Sequence, residues 1–337
     1  MILSYEYLMI KRFLTALILV YLIPPAVFAQ SNGNALHARY LFDVKAVGRE
    51  QGLLRPQQIR YDRNHQEYYV ADTGNDRVVI LDENGLNDFE FAAKDIFHAP
   101  TDIAVASDGK IFILGSMVGG RRIQVFDYNG EYRHPFTIKG NPDGDTPDIV
   151  SMAIDEQDII YLLDNRQKQV LICDLTGRLL SDIQLFTEMD SKERNEQSLG
   201  NLYISDDQIY VPAPMVGSVY CYNTDGTFVK MIGQKGGAYG ELSFPVAICK
   251  DSQGNYLVLD KHRYTIVGYD SQGMPMGEFG GKGVGPGWFY HPNSMIIDSS
   301  DRIWVAQIFL NRIQVLQLTP PSESKMAQGL SSTQKQQ

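Results

Sequence analysis

The sequence predicts an all-β chain that closes into a ring of six four-stranded antiparallel blades, a β-propeller. Three observations carry this. A repeat recurs about every 47 residues, each repeat contains short alternating apolar runs, and Asp, Asn and Gly turns separate the runs.

The repeat is plainest in one series: DRVVILDENG (76–85), RRIQVFDYNG (121–130), KQVLICDLTG (168–177), GSVYCYNTDG (217–226), YTIVGYDSQG (264–273) and NRIQVLQLTP (311–320). Their last residues lie 45, 47, 49, 47 and 47 apart. A second series precedes it: PQQIRYD (56–62), PTDIAVA (100–106), IVSMAID (149–155), LGNLYIS (199–205), PVAICKD (245–251) and PNSMIID (292–298). Between them runs a third, including EYYVADTG and RIWVAQIF, and a fourth follows each Gly turn, as in GTFVKMIG. These are strands a, b, c and d, counted outward from the axis. Tyr69, Phe112, Tyr161, Tyr210, Leu257 and Trp304 share one position on strand b and are expected between blades.

The sixth unit runs out of strand after Leu318, where TPPSES begins, and proline cannot continue a ladder. RYLFDVKAVGREQGLLRP (39–56) reads as a strand d and its linker. Arg39 to Val47 is therefore expected to complete the last blade and close the ring. The propeller is expected over residues 39–318, after a linker at 30–38 and before a disordered tail at 319–337.

Residues 1–29 read as an export signal. Lys11 and Arg12 precede an apolar run from Phe13 to Ile23, Pro24 and Pro25 break it, and Val27 and Ala29 suit a cleavage site. The run is short for a membrane span, so no span is expected in the mature chain, which should be periplasmic or secreted. Cys173, Cys221 and Cys249 sit in strand-like runs and are expected as buried apolar residues without disulfides. A net charge of −10 argues against nucleic acid as a partner.

YVADTGNDRVVILDENG (69–85) and GGKGVGPGWFYHPNSMIIDSSDRIWVAQIFLNRIQVLQL (280–318) resemble NHL repeats. The shared features are the GxGxGxF-x-x-P linker, the D-x-x-N-x-R corner and the alternating third strand. The resemblance covers about residues 39–318 and implies a six-bladed propeller. It does not imply one activity, since such propellers serve as lyases, binding modules and scaffolds.

Topology places the b–c and d–a loops on one face and the a–b and c–d turns on the other. The first face holds 16 Lys/Arg and 14 Asp/Glu; the second holds 5 and 18. Asp-rich hairpin turns account for the acidic face. On the b–c face, GSMVGG (115–120), PAPMVGS (212–218) and QIFLN (307–311) are apolar. Met117, Met215 and Phe309, beside Arg121, Arg122, Arg263 and Arg312, are the candidate contacts there, because apolar anchors with Arg are typical of binding surfaces. Arg77 and Arg312 also suit structural corner pairs with the Asp residues that end b strands.

Catalytic groupings are sparse. In amidating lyases of the NHL type, histidines just after the strand-a proline hold zinc; here those positions are Gln57, Thr101, Val246 and Asn293. Secreted six-bladed lactonases hold calcium near the axis. Gln57, Asp102, Asn201 and Asn293 could approach such a site, but Asp102 is the one acid among them. A polar, water-filled funnel is expected instead, with no cofactor and no metal. The function expected is an exported binding or scaffold propeller that engages a protein, peptide or other extracytoplasmic ligand on its b–c and d–a loops. The alternative is a metal-dependent lyase or lactonase-like enzyme with its site in the axial funnel.

Overall fold

A computed structural model describes residues 36–47, 51–93, 95–140 and 146–319. The stretch read as an export signal, 1–29, and residues 320–337 of the expected tail lie outside them, whereas Thr319, expected to begin that tail, ends the last strand. Within them the chain forms six antiparallel sheets of four strands. Blade 1 is Pro56–Asp62, Glu67–Asp72, Arg77–Leu81 and Asn87–Phe91. Blade 2 is His98–Val105, Ile111–Met117, Gly120–Phe126 and Tyr132–Phe136, and blade 3 is Ile149–Ile154, Ile159–Asp164, Gln169–Asp174 and Leu179–Gln184. Blade 4 is Tyr203–Ser205, Gln208–Ala213, Ser218–Asn223 and Phe228–Ile232, and blade 5 is Pro245–Lys250, Tyr256–Asp260, Thr265–Tyr269 and Pro275–Gly280. Blade 6 takes Pro292–Ile297, Arg302–Gln307 and Arg312–Thr319 from the end of the chain and His37–Val44 from its start.

That last pairing closes the ring. His37 faces Thr319 and Val44 faces Ile313, so the strand begins two residues ahead of the expected Arg39. Leu36 packs where Gly268 and Gly277 leave room; a Cβ at Gly268 would collide with the Leu36 side chain. Arg312, nearly sealed from solvent, binds Asp43 of the closing strand at 2.9 Å. It also donates to the Trp288 carbonyl and to Gln307.

Apolar residues fall into six clusters, one between each pair of neighbouring blades. The strand-b residue of each repeat is buried in one of them: Tyr69, Phe112, Tyr161, Tyr210, Leu257 and Trp304. Trp304 stacks on Tyr68 of blade 1 at 4.0 Å, which locks the seam between the last blade and the first. Cys173, Cys221 and Cys249 are buried and unpaired, and burial pushes the Cys173 thiol up to about 12.

Turn chemistry explains the acidic face. Asp82, Asp127, Asp174 and Asp270 in c–d turns each accept backbone N–H bonds from the residues two and four positions on. Asp155, Asp251 and Asp298 do the same in a–b turns. These carboxylates replace missing ladder partners, so the acidity follows from the number of hairpins.

Two local departures from regular strand shape the axis. Strand a of blade 4 is cut to Tyr203–Ser205, since Pro212 opposite it has no N–H to give. Strand a carries a β-bulge at its second residue in blades 1, 3, 5 and 6. Bulges re-aim side chains, and here they fall at Gln57, Val150, Val246 and Asn293, beside the axis. The charged linker at 187–198 folds in part, as a short helix over Ser191–Glu196 capped by Asp190.

Two outcomes test this packing. Asp43→Ala leaves the buried Arg312 without its anion and should cost about 3–5 kcal/mol. By calorimetry Tm should fall on the order of 10 °C; a shift of a degree or less would mean that the pair does not hold the seam. Asp298 is the second. Burial alone would raise its carboxyl, but bonds from Tyr68, Trp304 and the Arg302 backbone, with the Arg302 charge, outweigh this and hold it below the ordinary value. The folded state thus takes up this proton less readily than the unfolded chain. The stability it contributes is complete above about pH 4 and is lost as pH falls below that. Asp298→Asn should flatten the acid limb of a Tm–pH profile; parallel limbs would contradict the assignment.

Candidate functional site

At the axis the decisive residue is Arg60. Its position in strand a is occupied in the other units by Ala104, Ala153, Tyr203, Cys249 and Ile296. Those side chains are short or apolar, and a long side chain from blade 1 has room to cross the lumen. The Arg60 guanidinium grips Asp102 of blade 2 with two bonds, Nε at 3.1 Å and Nη2 at 2.8 Å. It then reaches the Met152 carbonyl of blade 3 at 2.7 Å and the Leu202 carbonyl of blade 4 at 3.1 Å. Asp102, fully buried, also accepts from Gln58, Ser151 and the Ile103 and Met152 amides. Ser294 of blade 6 completes the circuit by donating to Gln58 and accepting from the Ile59 amide.

This corrects the expected axial donor set. Asp102, the one acid in that set, is saturated by five donor groups, one of them a cation. The guanidinium sits where a hard cation would have to bind. Asn201 and Asn293 do meet, and tie blades 4, 6 and 1 together. Asn201 donates to the Asn293 carbonyl at 2.8 Å, and Asn293 donates to the Gln57 carbonyl at 3.0 Å. Lys261 reaches the Asn293 side-chain oxygen at 2.9 Å, and burial lowers its ammonium below the ordinary value. Arg60 was legible as the one charge at a small or apolar repeat position, a signal that the sequence reading passed over.

On the b–c face the candidate residues divide. Met117, Met215 and Phe309 are exposed, Phe309 by 60%. Arg122 is exposed and bonds only backbone carbonyls, while Arg121 pairs with Asp148 at 2.7 Å. Arg263 and Arg312 are structural. Arg263 holds Glu278 through two bonds and the Glu241 carbonyl through a third, and Arg312 is buried at the closing strand as described above.

Phe309 belongs to an aromatic patch on blades 5 and 6. Phe309 stands edge-on to His291 at 4.6 Å, and His291 meets Tyr290 at 4.7 Å and Tyr264 at 5.8 Å. Beside it Phe244 stacks on His262 at 4.3 Å. Burial and the nearby Lys261, Lys282 and His262 hold the His291 imidazole below its ordinary pKa. The patch is thus aromatic, half-exposed and flanked by cations. His291 and His262 gained a place in it through loop packing that spacing alone does not reveal.

A cavity opens on the other face. It occupies about 620 Å³ of the lower channel, between Arg60 and the a–b turns. One His and two acids, Asp62, His65 and Glu67, cluster on the a–b hairpin of blade 1. Asp62 already binds His65, and Glu67 binds Tyr69.

Residues 59–191 match a family model described as a 6-bladed beta-propeller. No curated protein matches the chain. Among solved structures, a protein of unknown function from Bacteroides thetaiotaomicron is 15% identical, with a TM-score of 0.61 over 85% of this chain and 76% of that one. An auxiliary nutrient binding protein from Bacteroides ovatus is 12% identical, with a TM-score of 0.60 and the same coverages. Virginiamycin B lyase from Staphylococcus aureus is 12% identical, with a TM-score of 0.56 over 83% of this chain and 87% of that one. At these identities the likeness is one of fold.

The axial network makes an ordering prediction. Asp102→Ala strands five donor groups and should cost about 3–5 kcal/mol, whereas Arg60→Met leaves Asp102 four donors and should cost clearly less. Urea midpoints measure both. Equal losses would show that Asp102 depends on the guanidinium alone.

Proposed function

We propose that this protein is an exported binding propeller that engages a protein, peptide or other extracytoplasmic ligand on the face made by its b–c and d–a loops. The observation that carries this is the set of exposed apolar side chains on that face, Met117, Met215 and Phe309, the last packed on His291. Exposed apolar side chains rimmed by cations suit recognition. The b–c loops of blades 2, 4 and 6 lack the Asp that closes the corners of blades 1, 3 and 5. In blade 1 Asp72 gathers Arg77, Asn75 and the Leu54 amide into a tight corner. That corner is the D-x-x-N-x-R feature on which we read the units as NHL-type repeats. Its loss frees the even loops to present side chains outward.

Export is inferred from Lys11, Arg12, the apolar run after them and the Ala29 cleavage site. No helix among the described residues is long and apolar enough to cross a membrane. Buried, unpaired cysteines are compatible with an oxidising compartment. A nutrient-binding protein among the fold neighbours supports a ligand-holding role. The metal-dependent alternative is disfavoured by Asp102, whose oxygens are occupied by Arg60 and four other donors.

Affinity capture from the native extracytoplasmic fraction tests the reading. The protein is compared with a Met117→Ala, Met215→Ala, Phe309→Ala variant, which touches no buried ion pair. The partner should be retained by the first and weakened at least tenfold in the second, with Tm unchanged. Equal retention would remove the b–c face as the site.

A further inference from the structure

We propose that the lower half of the axial channel is a second binding site, for a small organic cation with an apolar body. The site lies on the face opposite the b–c loops and stands independently of the function proposed for them. Its volume, about 620 Å³, falls within the range of small-molecule pockets. Gln58 and Arg60 line its inner part, where Arg60 is bonded to Asp102.

The chemistry of the cup selects the ligand. Its walls carry Val105, Ile154, Ile204 and Ile296, each half-buried, whose side chains offer dispersion contact and no hydrogen bonds. The charge at the floor is already neutralised, because the Arg60 guanidinium is paired with a fully buried carboxylate. An anion therefore finds no free cation there. At the mouth stand Asp62, Asp155, Glu156, Asp206 and Asp207 against Arg63. Turn bonds and ion pairs engage Asp62, Asp155 and Asp206. Glu156 and Asp207 are exposed, and their carboxylates have no hydrogen-bond partner among the described residues. A cleft with low-dielectric walls and a mouth of one sign focuses its field and concentrates the opposite charge. Tyr61 and Tyr203 also line the cup, and aromatic faces attract cations. An apolar body fits inward, with its ammonium group outward at Glu156 and Asp207.

Titration calorimetry of the purified protein tests this with hexyltrimethylammonium and, as the matched anion, hexanoate. The cation should bind at least tenfold more tightly than hexanoate. The Glu156→Gln, Asp207→Asn variant alters only exposed side chains and should weaken the cation about fivefold. Ala153→Phe places a ring in the lumen and should abolish the cation's heat while the protein stays folded. Phe309→Ala should leave it unchanged, which separates this site from the b–c face. No heat from the cation, equal binding of hexanoate, or cation binding indifferent to the Glu156 and Asp207 changes would overturn the proposal. Should Ala153→Phe fail to fold, the charge variant decides.

Discussion

A ring of six sheets has one seam, and the fold depends on how that seam is made. Every other blade is continuous in the chain, so its strands arrive together with short turns. Blade 6 must recruit its outer strand from the far end of the chain, where His37 pairs with Thr319 and Val44 with Ile313. The ladder from His37–Thr319 to Val44–Ile313 supplies the pairing, and the buried Arg312–Asp43 pair fixes its register. Without this strand, Arg312–Thr319 would be a bare edge with a buried cation behind it. The aromatic stack of Tyr68 and Trp304 depends on the same closure, since it spans blades 1 and 6.

With the ring closed, six copies of strand a converge and their polar groups must satisfy one another. One arginine solves most of this by crossing the lumen and tying three blades to the first. The channel is thereby divided. On one side of Arg60, Asn201 and Asn293 bond across three blades. On the other, a cup with mixed polar and apolar walls stays open among acidic turns. The two faces differ chemically because of their loops: one carries an aromatic patch flanked by cations, the other Asp-rich hairpin turns around a hollow.

What the sequence revealed and what it hid follow from the direction of the contacts. The repeat period and the period-two alternation report on contacts within a blade and with its neighbours. The four-stranded units, the buried strand-b aromatics, the closing strand and the Asp turns were therefore legible in advance. Arg60 reaches Asp102, Met152 and Leu202, which are 42, 92 and 142 residues distant and perpendicular to the strand. No spacing rule encodes a contact across an axis. Its oddity, a lone charge at a small or apolar position, was visible, but its partner was not. Arg312 shows the same limit: its place beside a loop suggested a surface contact, while its burial depends on a strand from the far end of the chain. Phe309 and Met215 were legible because apolar residues in a turn position have no local reason to be there. The packing of Phe309 on His291 was not, because it is made by different loops.

The most direct test of this account is amide hydrogen exchange of the protein alone and bound to its captured partner. The account predicts that protection on binding concentrates on the b–c and d–a loops of the even blades and the patch beside them, at 115–120, 212–217, 262–264 and 290–310. Protection confined to the a–b turns or to the outer strands, with these loops unchanged, would contradict it.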